Sequence, residues 1–222
     1  MLSANATNRI LQVGVGGVGA PLAQHLALIT KKELVLMDGD VFEDRNRARQ
    51  PFAIGNTGQN KAIALAQRIY APQAKVHAIP EFLTQENAEA LMEDVRPTMV
   101  VAAVDNDDAR QCIFSFNDRL PILWGANEIW DPQAGLSTPK WKWNPLEYFP
   151  PSEGNNTGCG IQTINANIAA ANMAIQLLQI HLAREEEEVR KENKAPVFMA
   201  RVKTGIWQLT AAELPQDNDT LQ

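Results

Sequence analysis

The chain has few of the residues that build metal centres and disulfide frameworks. Its 222 residues include only two cysteines, Cys112 and Cys159, and three histidines, His25, His77 and His181. No C-x-x-C pair occurs, so no structural zinc site is expected. We interpret the three scattered histidines as ordinary helix or strand residues rather than as ligands of a catalytic metal.

Long apolar runs and an excess of positive charge are also missing. No stretch is apolar over the roughly 20 residues that a membrane-spanning helix needs, and residues 1–10 lack the basic and apolar regions of a signal peptide. The 26 acidic residues outnumber the 20 basic ones, for a net charge of -6, which argues against nucleic acid as the main partner. We expect a cytoplasmic protein that uses neither membrane nor nucleic acid.

A glycine-rich turn is the most informative feature of the chain. Residues 11–15 predict a short buried strand, and an apolar-periodic helix continues through Leu22, Leu26 and Ile29. Glycine lets a backbone approach phosphate oxygens closely, and a helix N-terminus offers N–H groups and a positive dipole end to an anion. The glycines between strand and helix are Gly14, Gly16, Gly17 and Gly19.

A second predicted strand, residues 34–37, ends at Asp38, about twenty residues beyond the turn. An acid at that point can accept a hydrogen bond from a ribose hydroxyl. This order of strand, glycine turn, helix and strand-end acid predicts an α/β fold with a Rossmann-like, doubly wound, mainly parallel sheet. A ligand is then expected at the carboxyl ends of the strands. Because dehydrogenases use the same arrangement, an NAD-dependent oxidoreductase stays open as an alternative.

Beyond the second strand the pattern alternates to residue 126 and then changes. Helices are predicted at 57–70, with Thr57 as the cap, and at 85–92, 107–120 and 161–183; parallel strands are predicted at 75–79, 98–104 and 121–126. Residues 130–143 and 197–209 favour antiparallel strands added in the C-terminal half. Residues 41–56 and 143–160 predict loops, and residues 216–222 a disordered tail.

Four blocks carry a family resemblance: GVGGVG at 14–19, DGDVFEDRNRARQ at 38–50, GQNKA at 58–62 and VDNDDAR at 104–110. With these blocks the chain resembles the ubiquitin-activating-like superfamily of adenylating enzymes, of the ThiF, MoeB and HesA type, and in particular its bacterial ThiF-type members. The resemblance covers Gly14 to about Arg110, with a looser match through the helix at 161.

The resemblance implies one adenylation domain over residues 1–215, working as a homodimer. It implies ATP-dependent adenylation of the C-terminal carboxylate of a ubiquitin-like or sulfur-carrier protein, with release of pyrophosphate. A downstream conjugating enzyme is a further candidate partner, and the implied cofactors are ATP and Mg²⁺.

Residue roles follow from the same resemblance and fit elementary chemistry. Asp38 would bind the ribose. Arg49 offers a planar fork that can grip phosphate oxygens bidentately, whereas Lys61 offers a point charge. Asp105 would hold Mg²⁺, a hard cation that prefers oxygen ligands, with a helix N-cap as the alternative.

Weaker assignments complete the candidate site. Asn46 would contact phosphate or hold the loop, Gln50 would orient it, and Asp40 and Asn106 are further polar contacts. The candidate nucleotide-binding residues are Gly14, Gly16, Gly17, Gly19, Asp38, Asp40, Asn46, Arg49, Gln50, Lys61 and Asn106. The candidate catalytic residues are Arg49, Lys61, Asp105 and Cys159.

One departure from the family pattern and one cysteine bear on mechanism. Where relatives have Ser-Asn-Leu this chain has Arg45, Asn46 and Arg47. The added cations are candidates to replace an arginine that the family often supplies from a neighbouring subunit, or to bind an acidic partner. Cys159 is either a thiol acceptor that forms a thioester with the activated carboxylate or a buried structural cysteine. Cys112 is expected to be buried.

Two alternatives to the adenylating enzyme stay open. The glycine turn and Asp38 would also suit an NAD-dependent oxidoreductase, which has no need of Arg49, Lys61 or the acid block at Asp105. A catalytically degenerate nucleotide-binding partner subunit is the non-enzymatic alternative.

Overall fold

The computed structural model describes residues 9–50, 55–128, 131–139, 163–188, 197–203 and 206–212. These residues form one eight-stranded sheet in the order β3-β2-β1-β4-β5-β6-β7-β8. The strands are β1 Arg9–Val13, β2 Glu33–Met37, β3 Lys75–Ile79, β4 Met99–Ala102, β5 Ile122–Glu128, β6 Asp131–Ser137, β7 Val197–Lys203 and β8 Ile206–Ala212. The α-helices are α1 Gly19–Ile29, α2 Lys61–Ala66, α3 Gln85–Val95, α4 Asp107–Phe114 and α5 Ile164–Glu188, and a 3₁₀ helix spans Asp44–Asn46.

The sheet is parallel in its first half and antiparallel in its second. Strands β3, β2, β1, β4 and β5 pair in parallel, whereas β5 through β8 pair antiparallel. The predicted doubly wound α/β fold with added antiparallel strands is therefore confirmed. Short apolar strands such as β4, buried along its whole length, suit the centre of a sheet covered on both faces.

Each face of the sheet carries its own apolar core. Alternation along β1 sends Ile10 towards the core that includes α1, α2 and α5 residues, while Leu11 and Val13 face the core built with α3 and α4. Because successive side chains of a strand point to opposite faces, one short strand joins both cores.

The second helix begins later than the pattern predicted. Residues 57–70 were predicted as a helix capped by Thr57, and this is wrong, because the helix spans Lys61–Ala66 with Asn60 as its N-cap. Gly58 has a φ of +85°, which interrupts any helix there. The Asn60 carboxamide accepts a hydrogen bond from the Ile63 amide at 3.1 Å, while the Thr57 hydroxyl donates to the Asp44 carboxylate at 3.0 Å.

The remaining differences concern the ends of helices. Helix α4 ends at Phe114 rather than near residue 120, and its N-cap is Asn106, which removes the N-cap alternative for Asp105. No helix within the described ranges is long and apolar enough to cross a bilayer. The predicted loop at 143–160, Cys159 within it, and the predicted tail at 216–222 lie outside the described residues.

The strand order fixes where a ligand can bind. The chain runs outward from β1 to β2 and β3 and then returns through α3 to β4 on the other side of β1. This reversal leaves a crevice between the carboxyl ends of β1 and β4, and open α/β sheets bind their ligands at such a point.

Candidate functional site

A cleft of about 630 Å³ lies over the carboxyl ends of the central strands. It is lined by most of the residues that the sequence singled out: Gly14, Gly16, Gly17, Asp38, Asp40, Asn46, Arg49, Gln50, Lys61, Asp105 and Asn106. Gly19 does not line this cleft. The four sequence blocks, which span almost one hundred residues of chain, thus contribute to one cavity.

The glycine turn is shaped by close backbone contacts. Gly14 has a φ of +87°, and a Cβ there would lie 2.3 Å from the carbonyl oxygen of Ala103. At Gly19 a Cβ would lie 2.1 Å from the carbonyl oxygen of Gly14, whereas at Gly16 the nearest atom would be the Gln50 amide nitrogen at 3.6 Å. Gly14 and Gly19 are therefore needed for backbone packing, while the space beside Gly16 is part of the cleft.

Helix α1 starts at this turn without a side-chain cap. Its N-cap is Val18, which makes no capping hydrogen bond through its side chain. A helix start of this kind leaves backbone N–H groups and the positive end of the helix dipole directed at an approaching anion. The turn and the helix together therefore have the chemistry that would suit a phosphate group.

Asp38 ties the end of β2 to the glycine turn. One carboxylate oxygen accepts a hydrogen bond from the Val15 amide at 2.8 Å, and the other accepts from the Asp40 amide at 2.9 Å. Burial raises the pKa of Asp38 above its ordinary value, although both amide bonds and Lys61 act in the opposite direction. Since a carboxylate oxygen can accept a second hydrogen bond, Asp38 can still receive a hydroxyl from the cleft.

Lys61 brings a nearly buried ammonium into the cleft. Its side chain is 9% exposed, and Nζ lies 2.8 Å from a carboxylate oxygen of Asp40, whose side chain is 57% exposed. The Lys61 amide also donates to the Asp40 carbonyl at 2.9 Å. A buried ammonium is stable only with a partner, so Asp40 acts first as the counter-ion of Lys61.

The loop that carries Arg49 is held by two buried amides. The Asn46 side-chain oxygen accepts a hydrogen bond from the Glu43 amide at 2.9 Å. The backbone carbonyl of Asn46 accepts from the Arg49 and Gln50 amides at 3.1 and 2.8 Å. From the other side, the Asn167 carboxamide of α5 donates to the Arg49 carbonyl at 3.2 Å. Asn46 therefore holds the loop, and the loop places Arg49 at the cleft.

The two additional arginines of this loop differ in position. Arg45 lines the cleft and forms an ion pair with Glu43. Arg47 is half exposed, lies 3.1 Å from the Asp44 carboxylate, and is not among the residues that line the cleft. Of the two, only Arg45 is placed to meet a ligand bound there.

Asp105 and Asn106 close the cleft on the β4 side. Asn106 caps α4 by accepting from the Ala109 amide at 2.7 Å, and Asp105 directly precedes it in the lining. The described part of the chain holds no cluster of three or more metal-ligating side chains. Asp105 therefore suits Mg²⁺ only as one oxygen ligand beside phosphate oxygens, which is the usual arrangement for this ion.

Several residues that line the cleft were not among the site residues predicted from the sequence. Arg110 lies in the cleft, bound to Asp107 at 3.0 Å, and Asn127 donates to Asn167 at 2.8 Å. Phe82, 59% exposed, packs so closely on Gly39 that a Cβ there would lie 2.4 Å from the ring. The only sequence signal for Phe82 was an aromatic residue just after a predicted strand.

The fold is an α/β domain with a cleft at the switch point of its sheet, and Arg45, Arg49, Lys61 and Arg110 are among the residues that line this cleft. The model of the ThiF family matches residues 3–213. The chain therefore belongs to the ThiF family, as the sequence resemblance predicted.

Curated relatives match the chain over part of their length. The sulfur carrier protein adenylyltransferase of Thermus thermophilus is 32% identical over 136 residues, which are 57% of this chain and 48% of that protein. The adenylyltransferase and sulfurtransferase MOCS3 of Danio rerio is 41% identical over 87 residues, 38% of this chain and 19% of that one. The chain thus spans about half the length, or less, of these relatives.

Solved structures show the same fold at low identity. Escherichia coli MccB with succinimide superimposes with a TM-score of 0.70 at 15% identity, covering 92% of this chain and 62% of MccB. The E. coli tRNA N6-threonylcarbamoyladenosine dehydratase TcdA, in complex with AMP, superimposes with a TM-score of 0.61 at 20% identity, covering 81% and 87%.

Two glycines of the turn should respond differently to alanine. Gly19→Ala gains up to about 1 kcal/mol of helix propensity, but its Cβ meets a backbone oxygen at 2.1 Å. We expect a net loss of about 1–3 kcal/mol in the free energy of unfolding, measured by denaturant titration. Gly16→Ala is the matched control and should unfold like the wild type, because its Cβ meets only ordinary contacts. Equal stability of the two variants would contradict this account of the turn.

Proposed function

We propose that this protein uses ATP to adenylate the C-terminal carboxylate of a ubiquitin-like or sulfur-carrier protein, releasing pyrophosphate. One observation carries the proposal: the cleft joins the glycine turn and the uncapped N-terminus of α1 with the strand-end acid Asp38 and the cations Arg49 and Lys61. The same reaction is supported by one relative named as a sulfur carrier protein adenylyltransferase and another named as an adenylyltransferase and sulfurtransferase.

In this reaction a carboxylate oxygen bonds to the α-phosphorus of ATP while the bond from that phosphorus to the bridging oxygen breaks. Pyrophosphate leaves with the bonding electron pair. The attacking carboxylate is ionised at neutral pH and needs no general base. The work of the protein is to align the reactants and to balance charge on the phosphates.

The described residues divide these tasks between them. The turn at Gly16 and the start of α1 would receive phosphate oxygens, and Asp38 would accept from the ribose. Arg49 and Lys61 would balance the charge that passes to the leaving pyrophosphate. Mg²⁺, when bound through Asp105 and phosphate oxygens, would neutralise further phosphate charge.

Four further elements belong to the proposal. In a transfer that follows adenylation, the Cys159 thiolate would attack the carbonyl carbon of the acyl adenylate, and the thioester would form as the bond to the phosphate oxygen breaks and AMP leaves. The enzyme would work as a homodimer, and a conjugating enzyme is a candidate downstream partner. A cytoplasmic location would suit a carrier-protein substrate.

Pyrophosphate exchange into ATP tests the reaction directly. The purified protein, ATP and MgCl₂ are mixed with sulfur-carrier or ubiquitin-like proteins, each prepared with a free C-terminal carboxylate and as its C-terminal carboxamide. We expect exchange only with the free carboxylate, because the amide cannot attack phosphorus. Arg49→Ala should lower the exchange rate roughly 100-fold, as expected for loss of a group that stabilises developing charge.

Arg47→Ala is the matched control for that variant. It removes the same charge from the same loop at a position outside the cleft lining, so exchange should stay near the wild-type rate. An equal loss in both variants would mean that general loop charge, and not Arg49 at the phosphates, controls the rate. Preference for NAD over ATP in calorimetry would favour an oxidoreductase, and ATP binding without exchange would favour a degenerate subunit.

Phe82 should contribute to nucleotide binding through the base. The Asp38 amide donates to the Ile79 carbonyl at the end of β3 at 3.2 Å, so a base attached to a ribose at Asp38 would come near the exposed Phe82 ring, which is backed by Gly39. Stacking of a base on an aromatic ring contributes about 1–3 kcal/mol, so Phe82→Ala should raise the Kd of ATP roughly tenfold or more in calorimetry. The Kd of inorganic tripolyphosphate, which has no base, should not change.

Tyr70→Ala serves as the control, because Tyr70 is an aromatic residue, 77% exposed, that does not line the cleft. It should leave both dissociation constants unchanged. If Phe82→Ala weakened tripolyphosphate as much as ATP, the ring would be supporting the cleft wall and not the base.

A further inference from the structure

A buried glutamine lies directly beneath the glycine turn. Gln12 of β1 is 0% exposed and shares the sheet face of Ile10, which packs in an otherwise apolar core. Its side-chain amide donates to the carbonyl oxygen of Gly14 at 2.9 Å and to that of Gly19 at 2.7 Å. One amide group thus holds the beginning of the turn and the beginning of helix α1 together.

The Gly14 contact reaches the cleft through one peptide unit. The structure contains no cis peptide bond among the described residues, and in a trans peptide the C=O and the following N–H point in opposite directions. Because Gln12 draws the Gly14 carbonyl inward, the Val15 N–H points outward. It donates there to the Asp38 carboxylate at 2.8 Å.

The glutamine is not placed there for simple packing. Its Oε1 is buried and makes no hydrogen bond within the described part of the chain, and a buried acceptor without a partner costs stability. An apolar residue of similar size, such as the neighbouring Ile10 and Leu11, would avoid that cost. The compensation lies in the two carbonyl groups that the amide holds.

We propose that Gln12 is a positioning residue: through the Gly14–Val15 peptide it holds the Asp38 carboxylate in place to receive the sugar of the nucleotide. The sugar contact rests on the proposed nucleotide site, whereas the link from Gln12 to Asp38 concerns the free protein alone. A test in the free protein therefore separates the two.

The carboxylate itself reports on this link. The Val15 hydrogen bond lowers the pKa of Asp38, so its loss or misalignment should raise that pKa further and move the titration to higher pH. Lys61 and Asp40 also act on Asp38. The other charged groups that line the same cleft are Glu43, Arg45, Arg49, Glu81, Asp105 and Arg110. None of them changes in a variant at position 12.

The experiment is a ¹³C NMR titration of aspartate carboxyl groups, with Asp38 assigned by Asp38→Asn, combined with ATP calorimetry. Gln12→Leu removes both donated hydrogen bonds. We expect the Asp38 midpoint to move to higher pH in the free variant and the Kd of ATP to rise roughly tenfold. Ile10→Val, a core change on the same strand and face, should leave both quantities at wild-type values.

The Asp38 midpoint of the Gln12 variant decides whether the proposal holds. A folded Gln12→Leu protein whose Asp38 titrates at the wild-type midpoint would overturn the proposal. A shifted midpoint in a protein that does not bind ATP even as wild type would retain the link while removing the proposed function. Gln12→Met, which keeps an unbranched side chain, repeats the comparison if Gln12→Leu fails to fold. Failure of both to fold, with Ile10→Val folded, would make Gln12 a structural residue only.

Discussion

The close approach of the Gly14 backbone to the carbonyl oxygen of Ala103 is the constraint on which the site depends. A Cβ at that position would lie 2.3 Å from the oxygen, so only glycine lets the end of β1 run against the end of β4. The Ala103 amide in turn donates to Val13 at 2.9 Å. Once that contact is made, Gly19 can pack on Gly14, and helix α1 starts directly over the crevice between the two strands. The proposed phosphate site would therefore depend on strand packing as much as on the glycines that line the cleft.

Charge in the cleft is arranged in pairs. Lys61 faces Asp40 at 2.8 Å, Arg110 faces Asp107 at 3.0 Å, and Arg45 is paired with Glu43. Such pairs contribute little to stability when one member is exposed to solvent, but they hold cationic side chains in defined positions within a chain whose net charge is -6. A phosphate that enters the cleft can share these cations without a large rearrangement of the loops that carry them, and preorganisation of this kind is what makes electrostatic stabilisation effective.

The sequence sufficed for features with strong periodicity or a backbone requirement. The glycine turn between strand and helix, the apolar strand β4 and the antiparallel second half all follow from patterns of period 2 and 3.6 and from residues that few other contexts tolerate. The predicted start of α2 was wrong because Thr57 and Asn60 are both good N-cap residues. The left-handed φ of Gly58 excludes a helix that begins at Thr57, and that φ depends on tertiary contacts. Phe82 and Gln12 were missed for a related reason. Phe82 packs on Gly39 and Gln12 donates to the Gly19 carbonyl, and both contacts form only when the chain has folded.

The polar residues of the motif blocks divide into two kinds once burial and hydrogen bonds are considered. The side-chain oxygens of Asn46 and Asn106 accept hydrogen bonds from backbone amides at 2.9 and 2.7 Å. Asn46 thereby holds the loop in shape, and Asn106 the start of α4. Arg49 and Asp105 occupy the cleft lining on those shaped segments. Both kinds are needed together, because a displaced scaffold would remove a contact as surely as a missing side chain would. Gln12 is a further residue of the shaping kind, buried beneath the turn. It lies outside every motif block, yet it donates hydrogen bonds to the carbonyls of two of the turn's four glycines.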